Sequence, residues 1–191
     1  GGAVYFARSR GIQISDVEES SYAGEGLSFQ MCRDVVVRAC RFVDNSGNGV
    51  HPGAGSTNCL IEGCVGNGND MAGFFFCVRA NHISVRDCEF GSNSGHGMSI
   101  GTRDCHNPVE DCWIHENSGA GILVRSCPKP CEVHSLGIMR CRINGNTREQ
   151  GGGQVEIGDN AHHILLKDNQ LSSAPTRRAS GVSVAATAHD I

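Results

Sequence analysis

The feature that most constrains this chain is a repeat. The turn Asn-Ser-Gly recurs at residues 45–47, 93–95 and 117–119, and each time a glycine and an apolar triplet follow. Aligned on those turns, the triplets are Leu27-Ser28-Phe29, Val50-His51-Pro52, Phe74-Phe75-Phe76, Met98-Ser99-Ile100 and Ile122-Leu123-Val124. Their starts lie 23, 24, 24 and 24 residues apart. Val4-Tyr5-Phe6 precedes the set, and Val155-Glu156-Ile157 and Val182-Ser183-Val184 follow after longer gaps. A period in this range means a solenoid, in which each repeat buries its apolar face only against its neighbours.

Each repeat carries three short segments that alternate apolar and variable residues, the mark of a strand with one buried face. The second set runs Ile12–Ile14, Val35–Val37, Cys59–Ile61, Ile83–Val85, Leu136–Ile138 and Ile164–Leu166, with Asn107-Pro108-Val109 a poor member. The third begins at Cys40, Cys64, Cys88, Cys112 and Cys141, and at Asn169 in the next repeat. No stretch has helical spacing over three turns. Three strands per 24 residues close one coil, and coils stacked at about 4.8 Å pair equivalent strands in parallel.

Two columns read as structural. Asn45, Asn69, Asn93, Asn117 and Asn146 share one turn position, where asparagine suits a left-handed backbone and stacked amides form a ladder. The five cysteines are expected to pack as small, reduced hydrophobes, since five aligned sulfurs cannot all pair. A local disulfide between Cys127 and Cys131 is an alternative, as is a zinc site combining them with Cys105, His106 or His134. The spacing matches no strong zinc pattern.

This pattern resembles the right-handed parallel β-helix of the pectate-lyase-like superfold, over residues 4–184. The wording His51-Pro-Gly-Ala-Gly-Ser, Asn69-Asp-Met-Ala-Gly-Phe-Phe-Phe-Cys and Gly97–Asn107 is also similar to a subset of bacterial β-helix repeat proteins. The expected fold is all-β, a right-handed parallel β-helix of seven to eight rungs in one domain, residues 1–191. The chain begins Gly-Gly and stops within what reads as a new coil, so the expectation is a domain truncated at both ends. Uncapped strand edges would then favour self-association. The resemblance implies a secreted or cell-surface location.

The net charge of −4 provides no overall attraction to nucleic acid or to membranes. No apolar run nears the ~20 residues needed to span a bilayer. In β-helix carbohydrate enzymes the outer face of the first strands forms the substrate groove. Here that face is Tyr5, Ser28, His51, Phe75, Ser99, Leu123, Glu156 and Ser183. The resemblance therefore implies a polysaccharide partner, and a lyase or related enzyme acting on uronic-acid polymers. β-Elimination needs the sugar carboxylate neutralised, a base for the C5 proton and an acid for the leaving oxygen. Arg79, Arg103 and Arg125 are candidates for the first role, because guanidinium matches carboxylate bidentately. Proton transfer falls to His51, or to His106 with Asp104. Phe75 offers a surface for stacking and Ser99 lies beside it. A hydrolase would instead need two carboxylic acids, with Asp70 and Asp104 as candidates. No cofactor is named by the residues. Calcium is an option, although Asp70 and Asp104 make a thin ligand set, and no metal ligand is assigned. The alternative is a non-catalytic carbohydrate-binding or structural module of a larger extracellular protein.

Overall fold

The computed structural model describes residues 1–147, 152–173 and 180–191. Among these there is no helix, and therefore none long and apolar enough to cross a membrane. Parallel strands stack into a right-handed β-solenoid of about seven turns. The first strands form one eight-stranded sheet and the second strands a seven-stranded sheet. The third strands form a four-stranded and a two-stranded sheet, bridged only at Val65, which pairs singly with Arg41 and Glu89.

The repeat spacing translates directly into register. In the first sheet Leu27 pairs with Val50, Ser28 with His51 and Phe29 with Pro52. Met98 pairs with Phe74 and Ile122, and Ser99 with Phe75 and Leu123. Alternate residues therefore point inward: Leu27, Phe29, Phe74, Phe76, Met98, Ile100, Ile122 and Val124 are fully buried. Pro52 has no N–H to offer the next coil, and the strand beyond it shrinks to Phe74–Phe75, with Val50↔Phe74 the one registered pair. Asn107-Pro108-Val109 does stack into the second sheet, Pro108 against Gly137 and Val109 against Val85 and Ile138. Asn107 sits inward where other coils carry an apolar residue, and its amide accounts for this: Oδ1 accepts the Ile83 N–H at 2.9 Å and Nδ2 donates to the Ala80 carbonyl at 2.8 Å.

The turns are held by the same device. The amide Nδ2 of Asn45 donates to Asn69 Oδ1 at 3.0 Å, Asn69 to Asn93 at 3.1 Å, Asn93 to Asn117 at 2.8 Å and Asn117 to Asn146 at 2.8 Å. Gln154 ends the series, accepting from Asn146 at 2.8 Å. Each Oδ1 also accepts the backbone N–H of the preceding coil. All five asparagines are buried, so every one of these groups is out of reach of water. The cysteines of the third-strand turn are buried too, and Cys88 Sγ accepts the Cys64 N–H at 3.4 Å. All eleven cysteines are free thiols, so the Cys127–Cys131 bridge is absent. The adjacent thiol of Cys112 pulls Cys88 down, but Cys64 and burial outweigh it and push Cys88 up to about 12. Such thiols are poor nucleophiles.

Asn93→Ala removes the acceptor for Asn69 N–H and Nδ2 and leaves the Gly66 carbonyl unpaired. With about 1–3 kcal/mol per stranded buried group, chemical denaturation is expected to show a loss of roughly 2–5 kcal/mol. The exposed neighbour Ser94→Ala should stay within about 0.5 kcal/mol.

Candidate functional site

The outer face of the first sheet gathers unlike side chains from four consecutive coils. Half-buried His51 meets the edge of the Phe75 ring, centroids 5.3 Å apart. The guanidinium of Arg125 lies over the other side of this patch, 4.5 Å from the Phe75 centroid. Arg125 Nη1 donates to Ser99 Oγ at 2.6 Å and Nη2 to the Phe76 carbonyl at 2.9 Å. It reaches them by crossing Gly101, where a Cβ would stand 2.4 Å from Nε. A side chain at residue 101 would thus expel the arginine from the face.

Burial works against charge on His51, yet the Cys77 thiol and the Glu25 carboxylate overcome it and hold the imidazole up to about 9. Its Nδ1 donates to Glu25 Oε1, while Nε2 is buried, with Cys77 near enough to act on its charge but not in good hydrogen-bond geometry. Burial pushes Glu25 up, but His51, Ser28 and Asn48 more than reverse this and leave it below the usual carboxylate range. Cys77 occupies the adjacent coil, its N–H bonded to the Pro52 carbonyl at 3.1 Å. The His51 charge lowers its thiol. Neither Glu25 nor Cys77 was singled out by sequence spacing. Glu25 lies one coil back and three residues out of column, since His51 pairs with Ser28, and Cys77 follows the first strand at a position held in other coils by residues as different as Gln30, Gly53, Gly101 and Arg125.

The remaining candidates divide between two further places. Asp70 and His96 line a hollow of about 250 Å3 with Phe75 and Ser99, continuous with the His51 face. Burial holds His96 below its usual value, and its Nδ1 accepts the Ala120 N–H at 3.0 Å. Arg79, Arg103 and His106 line a different cavity, of about 750 Å3, on the flank toward the second sheet.

Asp104 is fully buried and points inward. Its oxygens accept the Ala80 and Gly101 N–H groups, each at 2.9 Å, and Oδ2 lies 3.6 Å from Arg125 Nη2. Burial raises it to about 7, against the pull of those N–H groups and of Arg125. Asp104 therefore braces a turn and Arg125, and the ring of His106 stacks on His82 instead of pairing with it, at 4.9 Å and 3°. A carboxylate so enclosed does not fit a calcium ligand. Among the described residues, no three His, Cys, Asp or Glu side chains are arranged to hold a metal ion.

A model of the right-handed beta helix region matches residues 2–171. The chain belongs to the right-handed β-helix family. No curated protein matches this β-helix chain. Among solved structures, it is similar to the mannuronan C-5 epimerase AlgE6 A-module of Azotobacter vinelandii, at TM-score 0.72 and 14% identity over 100% of this chain and 58% of that one. It is similar to the periplasmic alginate epimerase AlgG, at 0.74 and 12% over 96% and 47%. It is also similar to an alginate lyase from Paenibacillus sp. str. FPU-7, at 0.61 and 12% over 84% and 65%. The β-helix described here thus spans about half to just under two thirds of those chains, and at such identities the likeness is one of fold.

For His51, raised from 6.5 to about 9, the folded state holds its proton more tightly than the unfolded one. The stabilisation is fully present below pH 6.5 and is lost as pH rises through 9. The His51 ring resonances followed by NMR are expected to titrate near 9. Glu25→Gln should move that midpoint down by at least about one pH unit. An unmoved midpoint would mean that Glu25 does not hold the proton.

Proposed function

We propose that the first-sheet face is the active site of an enzyme acting on acidic, uronic-acid polysaccharide, a lyase or a related enzyme that begins by removing the C5 proton. The observation that carries this reading is the guanidinium of Arg125 spread beside Phe75 and Ser99, next to a histidine kept charged by Glu25. A uronate needs those three things at once: a cation for its carboxylate, a flat surface for its ring and a proton-transfer group. Solved structures of similar fold include enzymes named as alginate epimerases and an alginate lyase, which suits the same substrate class.

The surroundings of His51 and Cys77 support a division of roles between them. A histidine held up to about 9 is charged at neutral pH and serves as the acid, not the base. Cys77, half-buried and lowered by that charge, is the acceptor. In elimination, the Cys77 thiolate takes the C5 proton while Arg125 neutralises the carboxylate. The C5–H electron pair becomes the C4–C5 double bond, the C4–O bond breaks, and the departing oxygen takes the His51 proton. Asp70, at the mouth of the adjoining hollow, contacts the sugar hydroxyls, and Ser99, buried beneath Arg125, orients the guanidinium. Arg79, Arg103 and His106 stand outside this step.

The test is a panel of uronate polymers assayed for unsaturated ends and for C5 inversion. Turnover is expected on at least one. Arg125→Ala should then lower it about 10²–10³-fold, and His51→Ala or Cys77→Ser about 10²–10⁴-fold. Binding without turnover on every polymer would assign the face to a non-catalytic carbohydrate-binding module instead.

A further inference from the structure

Five of the nine histidines stand in one column on the second-sheet flank. The rings of His82 and His106 are 4.9 Å apart, His106 and His134 5.3 Å, His134 and His162 5.2 Å, and His162 and His189 5.1 Å. One imidazole therefore appears per coil, at the spacing of the coils themselves. The column crosses from one backbone position to the next where the coil expands after Arg125. His82 and His106 have positive φ, of 54° and 59°, as Ser135 does in the following coil, where the ring comes from the preceding residue, His134. The His106–His134 contact accordingly turns edge-on, at 88°, while the other three stay within 20° of parallel.

The column walls the cavity of about 750 Å3, and Arg79 and Arg103 project into the same groove from adjacent coils. Neither arginine has an ion-pair partner among the described residues. Parallel rings about 5 Å apart aim their lone pairs alongside one another, so they do not converge on a metal ion. What such a wall does offer is a row of donors, one per coil, with two fixed positive charges beside it.

We infer that this groove is a second binding site, for a polyuronate chain lying parallel to the solenoid axis, with a carboxylate facing each coil. The class of ligand rests on the function proposed above; the site itself does not. Charge complementarity favours a polyanion, because the groove holds two arginines and up to four titratable imidazoles against Glu132 alone. Glu132 Oε2 is buried without a hydrogen-bond partner. At one end His82 faces Arg33 and Asp34, the latter already paired with Arg10. At the other, His162 meets His163 and, more distantly, Asp190, which lies 3.8 Å from His163. Cys105 also lines the wall.

Stacking makes the site pH-dependent. Burial and then the adjacent rings lower both His134 and His162, so adjacent imidazoles resist becoming charged together. A carboxylate laid along them removes that repulsion and draws protons in. Binding is therefore expected to take up protons and to tighten as pH falls.

Titration calorimetry of polygalacturonate onto the chain, at about pH 5 and about pH 8, tests this in buffers of different ionisation heat. Expected are an affinity at least about tenfold higher at the lower pH and net proton uptake on binding between those two pH values. His134→Asn/His162→Asn should abolish the uptake. Should the double variant not fold, His162→Asn alone should reduce it. Arg79→Ala/Arg103→Ala should weaken binding at both pH values. His51→Ala and Arg125→Ala should leave the pH-dependent binding intact, even if the catalytic reading fails. The inference is overturned by affinity that does not change with pH, by uptake that survives His134→Asn/His162→Asn, by loss of the pH-dependent binding in His51→Ala, or by equal binding of polyglutamate or a neutral glucan.

Discussion

The interaction on which everything else depends is a hydrogen bond from a backbone N–H of one coil to an inward polar side chain of the next. It recurs at each kind of turn. Asn69, Asn93 and Asn117 accept from the residues one coil earlier. Ser56 does the same for Cys32, Asp104 for Ala80, Asn107 for Ile83 and Asn169 for Cys141. A β-solenoid has no long-range topology beyond the stacking of neighbours, so coil-to-coil register is the whole of its tertiary specification. Apolar packing alone tolerates slippage, because one aliphatic residue replaces another at little cost. A buried N–H that loses its acceptor does not.

Register, once held, decides which outward side chains meet. It sets His51 beside Phe75 and brings Arg125 from two coils away to the same patch. The glycine at residue 101 leaves the corridor for that arginine, and Asp104, buried beneath, keeps its charge balanced. Asp104 thus joins the bracing of the solenoid to the chemistry of the face. Its carboxylate contributes to function by holding another group in place, a role distinct from proton transfer.

Much of this was legible in the spacing of the residues. The period of 23 to 24 marks out the first-sheet column from Tyr5 to Leu123, because identical offsets in a solenoid are identical places in space. For that reason His51 meets Phe75, and Ser99 pairs with Phe75 in the next coil. What spacing could not convey was the direction of residues in turns. Asp104 and His106 are two apart in sequence, yet one turns inward to backbone donors and the other outward to a stack of rings. Likewise Arg79 and Arg103 share a coil position with each other but not a face with His51. The Glu25–His51 pair runs diagonally across coils, and the histidine column changes backbone position at the expanded coil, so neither follows one fixed offset.

The central claim is that a uronate sits on the first-sheet face with its carboxylate on Arg125 and its ring against Phe75. A crystal structure with a short oligouronate bound to the Cys77→Ser chain tests it most directly. The account predicts a sugar carboxylate within hydrogen-bond distance of the Arg125 guanidinium, and C5 of that sugar directed at residue 77. An oligouronate bound elsewhere on the solenoid, with the Phe75 face bare, would contradict it.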